Sequence, residues 1–169
     1  MAIKGAHNKH PQITAHLVVK DARAAVDFYA RAFGAEIAYQ SKLPFGDLMH
    51  YHLRLGGSIF MVTDEMPGGE GESKEKTPSP LRAPGSLGGT TSVMEIYVDN
   101  ADAAFDRAVK EGAHPTLPVH DAFWGDRYGW VTDPFGHIWA VATMKEILTP
   151  EELTERMAAA FGGSCPGNN

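Results

Sequence analysis

Apolar and polar residues follow two different periods along this chain, one after the other, and the whole succession occurs twice. From Ile13 to Val19 they alternate, setting Ala15, Leu17 and Val19 against Thr14, His16 and Val18. That period of two predicts a strand with one apolar side. From Asp21 the spacing becomes helical, with Ala24, Ala25, Phe28, Tyr29 and Phe33 as the apolar face. Asp21 is placed to cap the helix start, and Gly34 to end it. Strands are then predicted near residues 36–43, 48–55 and 58–63, with turn signals at Pro44–Gly46 and Gly56–Gly57.

The second succession reads as a strand at 92–98, a helix at 101–111 and strands near 114–119, 128–133 and 138–143. The turn Asp133-Pro134-Phe135-Gly136 joins the last two. Val19 matches Val98, Ala22 matches Ala101, Ala25 matches Ala104 and Asp27 matches Asp106, each 79 positions apart (98 − 19). Gly57–Val62 matches Gly136–Val141 at the same offset. One register recovered at two distant places marks a duplicated unit. The predicted fold class is therefore α+β, with two tandem βαβββ units forming a curved mixed sheet, a cup. Residues 1–12 are a polar N-terminal segment, 13–65 the first unit and 66–90 a Pro/Gly/Ser-rich linker. Residues 91–144 are the second unit, and 145–169 a C-terminal helix and disordered tail. Thr149, Pro150 and Glu152 have the spacing of a capping box, predicting a helix to about Phe161.

The alternation also assigns faces. His16 and Glu95 are repeat mates, and both fall on the side of their strand away from the helix; Tyr97 shares the face of Glu95. An inward histidine and carboxylate on an apolar-lined sheet are candidates for general acid/base chemistry. A hydrogen-bonded core role for His16 is the plain alternative, while a carboxylate in such a place calls for a partner or a ligand. In Met49–Leu55, His50, His52 and Arg54 share one face, so the histidines can contact a ligand or decorate a polar edge. Trp124 and Arg127, in Phe123–Gly129, suit a flat or anionic molecule through stacking and a fork of donors. The alternative is that Asp126 and Arg127 pair to hold the loop.

Composition narrows the field further. A net charge of −6 over 169 residues argues against nucleic acid or an anionic membrane surface as partner. Cys165 is the one cysteine, which excludes an internal disulfide and a zinc finger. No apolar run is long enough to span a bilayer, and residues 1–12 lack the apolar core of a signal peptide, so a cytoplasmic protein is expected.

The repeat, the segments Ile13–Glu36 and Phe123–Gly129, and Asp133–Trp139 together resemble the glyoxalase/bleomycin-resistance/extradiol dioxygenase superfamily. The likeness spans Ile13 to Met144 and is nearest to the PhnB-like branch. It implies the cup-shaped fold and a homodimer with a small-molecule ligand or substrate. It also implies, in the superfamily's metal-dependent enzymes, ligands at positions that fall here on Thr14, Met61, Val93 and Ala140. None is a good ligand for Zn, Ni, Mn or Fe. No metal site and no cofactor are therefore expected, and metal-free binding of an aromatic or polar molecule is the expected function. The alternative is a glyoxalase-like lyase, isomerase or dioxygenase, with acid/base groups or a divalent metal relocated to His16, Glu95 and His50 or His52.

Overall fold

Both alternating segments form sheets and both helical segments form helices. The computed structural model of the chain describes residues 11–44, 46–67, 69–70, 76–77 and 79–162. The N-terminal residues 1–10 and the tail carrying Cys165 lie outside the described residues. The elements are β1 (His16–Val19), α1 (Ala22–Phe33), β2 (Glu36–Lys42), β3 (Met49–Leu55), β4 (Ser58–Asp64), β5 (Gly69–Glu70) and β6 (Lys76–Thr77). They continue with α2 (Pro84–Leu87), β7 (Val93–Tyr97), α3 (Ala101–Lys110), β8 (His114–Asp121), β9 (Asp126–Thr132), β10 (Ile138–Met144) and α4 (Pro150–Ala160). The chain divides into two units, Met1–Ser92 with Asp133–His137, and Val93–Thr132 with Ile138–Asn169.

In the first unit the strand order is β1-β4-β3-β2, with β1 parallel to β4 and the other pairs antiparallel. Helix α1 covers one face. Leu17, Val19, Tyr51, Leu53, Phe60 and Val62 point toward it and are buried, as are Val26, Phe28, Tyr29 and Phe33 of the helix. Each such side chain contributes about 1.5–3 kcal/mol on leaving water. Ala24, expected on the apolar face, is exposed instead. The buried stripe is Ala22, Ala25, Val26, Phe28, Tyr29, Ala32 and Phe33, spaced at i, i+3 and i+4, and Ala24 lies outside it. The helix ends as expected at Gly34, whose φ of 76° is open to glycine without strain.

Two carboxylates lock this unit. Asp64, at the end of β4, accepts from the backbone N–H of Ala22 (2.7 Å) and of Met49 (2.6 Å). Asp133 is 4% exposed and accepts from the Tyr29 hydroxyl (2.7 Å) and from the N–H groups of Phe135 and His137 (2.9 Å each). His137 in turn is 3.0 Å from the Val18 carbonyl. Gly136 has φ 92°, and a Cβ there would come within 2.9 Å of Pro84 Cβ, so the turn requires glycine on both counts. Inside 66–90, expected as a linker, β5 and β6 form a two-stranded ladder and Pro84 opens the short α2. Ser86 of α2 donates to Glu65 (2.7 Å).

The second unit repeats the order as β7-β10-β9-β8, with β7 and β10 parallel. Trp139, Val131, Val141 and the alanines Ala101, Ala104 and Ala108 of α3 form its helix-side core. Here Thr143 stands where the first unit has Asp64, 79 positions earlier (143 − 64). Its hydroxyl accepts from the Ala101 N–H and donates to the Val98 carbonyl, both at 2.8 Å. The same helix start is thus held by a carboxylate in one copy and a hydroxyl in the other. Helix α4 begins with the expected capping box, Thr149 and Glu152 each bonding the other's backbone N–H. Among the described residues no helix is long and apolar enough to cross a membrane.

Replacing Asp64 by Ala leaves two buried N–H groups without acceptors, each costing about 1–3 kcal/mol. Urea unfolding should show a loss of about 2–5 kcal/mol for Asp64→Ala, and a smaller one for Asp64→Asn, which keeps one acceptor oxygen.

Candidate functional site

Each four-stranded sheet has a face turned away from its helix, and the chemistry-bearing side chains collect there. In the first unit, His16, Met61, His52 and Tyr39 are successive register partners across β1, β4, β3 and β2. His50 lies in the next row, beside Thr63. The Nε2 atoms of His50 and His52 are 2.9 Å apart, so one ring donates to the other. The His16 ring meets His50 edge-on at 5.4 Å, and Tyr39 stands 5.2 Å from His52. Loss of water contact lowers the pKa of His16 below 6.5, with His52 adding to the effect. His50 is lowered by the same loss first and by His16 second. Both rings are therefore neutral at pH 7 and offer a lone pair. His16 also lines an open pocket of about 440 Å³ together with Arg82, Thr90 and Thr91.

In the second unit the open face is aromatic. Glu95, Ala140, Trp130 and Leu117 form one row across β7, β10, β9 and β8, and Tyr97, Ala142, Tyr128 and His120 the next. Asp126, 5% exposed, is the organising group. Its Oδ2 accepts from the Tyr97 hydroxyl (3.0 Å) and from Trp124 Nε1 (2.9 Å). The Trp124 ring packs edge-to-face on Tyr128 and on Phe123, both at 5.0 Å, and Tyr128 lies 6.3 Å from Trp130. Trp130 Nε1 is buried and, among the described residues, has no acceptor. The hydrogen bond to Asp126, with burial and the charges of Asp126 and Glu95, pushes the Tyr97 hydroxyl up to about 12. Glu95 itself is exposed and borders that hydroxyl.

The structure thus brings His16, His50 and His52 together in one unit, and Glu95, Tyr97 and Trp124 together in the other. Arg127 is not brought to Trp124. Its guanidinium makes a bidentate pair with Asp102 of α3 (2.9 and 2.7 Å) and reaches Asp121 at 3.4 Å, on the helix side of the sheet. These contacts hold Arg127 charged and depress the Asp102 carboxyl. Asp126 does not pair with Arg127 either, because adjacent residues of a strand point to opposite faces. Phe123–Gly129 was expected as a loop, yet only a tight turn remains: Ala122 and Asp126 close it (2.8 Å), and β9 starts at Asp126. Asp126, Tyr128 and Trp130 are the residues that the sequence reading missed. Their signal is the alternation itself, once the strand is begun two residues earlier.

The four positions at which the resemblance implies metal ligands do not fit such an ion. The Thr14 hydroxyl is bonded to the Pro11 carbonyl (3.4 Å), Val93 is an aliphatic side chain, and Ala140 is fully buried within an apolar cluster. Met61 is the one heteroatom donor left facing outward. Among the described residues, no group of three or more His, Cys, Asp or Glu is arranged to hold a metal ion.

Two βαβββ units, each with a parallel closing pair and three antiparallel-linked strands, define the protein's class. The family model described as "Glyoxalase/Bleomycin resistance protein/Dioxygenase superfamily" matches residues 10–141, and the chain belongs to that superfamily. It is 38% identical over 156 residues to an uncharacterised protein of Mycobacterium bovis, covering 92% of this chain and 98% of that one. The solved structure of TioX from Micromonospora is 26% identical, with a TM-score of 0.58 over 83% of this chain and 99% of TioX. The fosfomycin resistance protein FosX of Listeria monocytogenes shares the fold, at 18% identity and a TM-score of 0.54 over 90% of this chain and 99% of FosX.

Two titrations follow from these environments. His16 and His50 have folded-state pKa values below 6.5, so the unfolded chain takes up their protons first as pH falls. Their contribution to stability is therefore full above that pH and declines through it. Thermal unfolding should show a steeper loss between pH 7 and 5 for the native chain than for a His16→Asn, His50→Asn double variant. In the second unit, Asp126→Asn should bring the Tyr97 hydroxyl back toward 10, read by ultraviolet difference titration.

Proposed function

We propose that the protein binds a small aromatic or polar molecule against the open face of the second sheet, with Tyr97, Trp124 and Tyr128 as the stacking surface and Glu95 at its border. The observation that carries this reading is Trp130 Nε1, a buried donor beside those rings with no acceptor among the described residues. An unmade hydrogen bond of this kind costs about 1–3 kcal/mol, which a ligand oxygen accepting from Trp130 offsets. Asp126 supports the reading by fixing Tyr97 and Trp124 before any ligand arrives, so little ordering is left for binding. The usual metal ligands of the superfamily are not needed for such a task. PhnB-like placement within the superfamily rests on the motif segments, and a cytoplasmic homodimer is the working state, with neither nucleic acid nor membrane as partner.

A second reading, turnover by a glyoxalase-like enzyme, draws on the first sheet. His16, neutral at pH 7 and lining a pocket of about 440 Å³, is suited to act as a general base.

Thermal-shift screening with a panel of aromatic acids, phenols and ketones, followed by tryptophan quenching, tests the first reading. Compounds that bind should lose about tenfold in affinity on Trp130→Phe, which keeps a ring but removes the N–H. Tyr97→Ala should weaken them further. Binding that neither variant alters would refute the assignment of this face.

A further inference from the structure

The open face of the second sheet carries two carboxylates, and neither has a cation beside it among the described residues. Asp126 is 5% exposed, and its side chain accepts from two neutral donors, the Tyr97 hydroxyl (3.0 Å) and Trp124 Nε1 (2.9 Å). Neutral donors solvate a buried carboxylate but leave its charge uncompensated. The cations nearest in sequence are engaged elsewhere, Arg127 with Asp102 and Asp121, Lys145 with Asp121. Neither row of this face, Glu95-Ala140-Trp130-Leu117 or Tyr97-Ala142-Tyr128-His120, contains a lysine or arginine. The one basic group in them, His120, stands on the edge strand and bonds the Pro118 carbonyl (3.0 Å).

The two charges meet at one place. The Tyr97 hydroxyl gives its single proton to Asp126, and Glu95 also acts on that hydroxyl, so both carboxylates border it. Tyr97 and Trp124 converge on the same Asp126 oxygen and stay accessible, at 64% and 37% exposed. The face of a phenol or indole ring is the negative part of its quadrupole and attracts a cation within about 6 Å. Ring faces and carboxylates therefore favour the same occupant and repel an anion. The remaining rings extend the surface: Trp124 meets Tyr128 edge-on at 5.0 Å, and Tyr128 meets Trp130 at 6.3 Å. A flat apolar group can lie there while its charge sits at Glu95.

Resting on the reading of this face as the binding surface, we propose that its ligand is an organic ammonium ion, a protonated amine carried on an aromatic ring. The ammonium lies at Glu95, Asp126 and Tyr97, and the ring on Trp124 and Tyr128. The test is calorimetric titration of the full chain with phenethylamine and tryptamine. The neutral 2-phenylethanol and the anionic 3-phenylpropionate serve as comparisons of similar shape. We expect the amines to bind about tenfold more tightly than the alcohol, and the acid most weakly. Added salt should weaken the amines and leave the alcohol unchanged, because Glu95 is exposed. Glu95→Gln should cost the amines about fivefold and the alcohol nothing. Amine and alcohol binding equally, both weakened by Trp130→Phe, would overturn the cationic class while keeping the face as a binding surface; this comparison on the native chain needs no variant to fold. Amines unaffected by Glu95→Gln, Tyr97→Ala and Trp130→Phe alike would overturn both, and amines that give no heat at millimolar concentration would overturn the ammonium assignment.

Discussion

A four-stranded sheet has two faces, and in each unit of this protein one helix covers only one of them. The period-two alternation of the strands decides what happens on each side. Leu17, Val19, Leu53 and Val62 go to the helix and supply the apolar burial that holds the first unit together. What is left for the other side is whatever the sequence places at the intervening positions. In β1, β3 and β4 these are His16, His50, His52 and Met61; in β7 and β9 they are Glu95, Tyr97, Asp126, Tyr128 and Trp130. The helix-side core and the polar and aromatic groups of the open face thus use alternate residues of the same strands.

The duplicated unit has diverged by exchange of chemistry at matched positions. Asp64 and Thr143 do the same structural task, holding the first N–H of their unit's helix (α1 and α3), with a charged group in one copy and a neutral one in the other. On the open faces the divergence runs further. His16 and Glu95 occupy one repeat position, yet their neighbours differ wholly: imidazoles and a thioether around the first, indole and phenol rings around the second. Matched positions of one repeated sheet face thus carry two different sets of side chains.

Much of this was legible in the sequence. The register of 79 residues, both main helices, the Gly34 stop, the Thr149 capping box and the face assignments of His50, His52 and Tyr97 agree with the structure. Alternation is a local signal, and local signals survive without knowledge of the partner strand. What escaped depended on partners remote in sequence. Arg127 is separated from Trp124 because Asp102, 25 residues earlier, reaches it from α3. Asp126 looked like a loop residue until the turn at Ala122–Gly125 let β9 begin there. The ladder and short helix within 66–90 were hidden by a composition that reads as linker.

The turn Asp133–His137 bears on how far the two halves can still be parted. By sequence it belongs to the second copy, but it folds with the first unit, where Asp133 takes the Tyr29 hydroxyl and His137 meets the Val18 carbonyl. A fragment ending before β7 would carry every strand of the first sheet and still leave the Tyr29 hydroxyl and the Val18 carbonyl without these partners. The first copy is therefore completed by five residues that the sequence repeat assigns to the second, so the boundary of the folded unit and the boundary of the repeat no longer coincide.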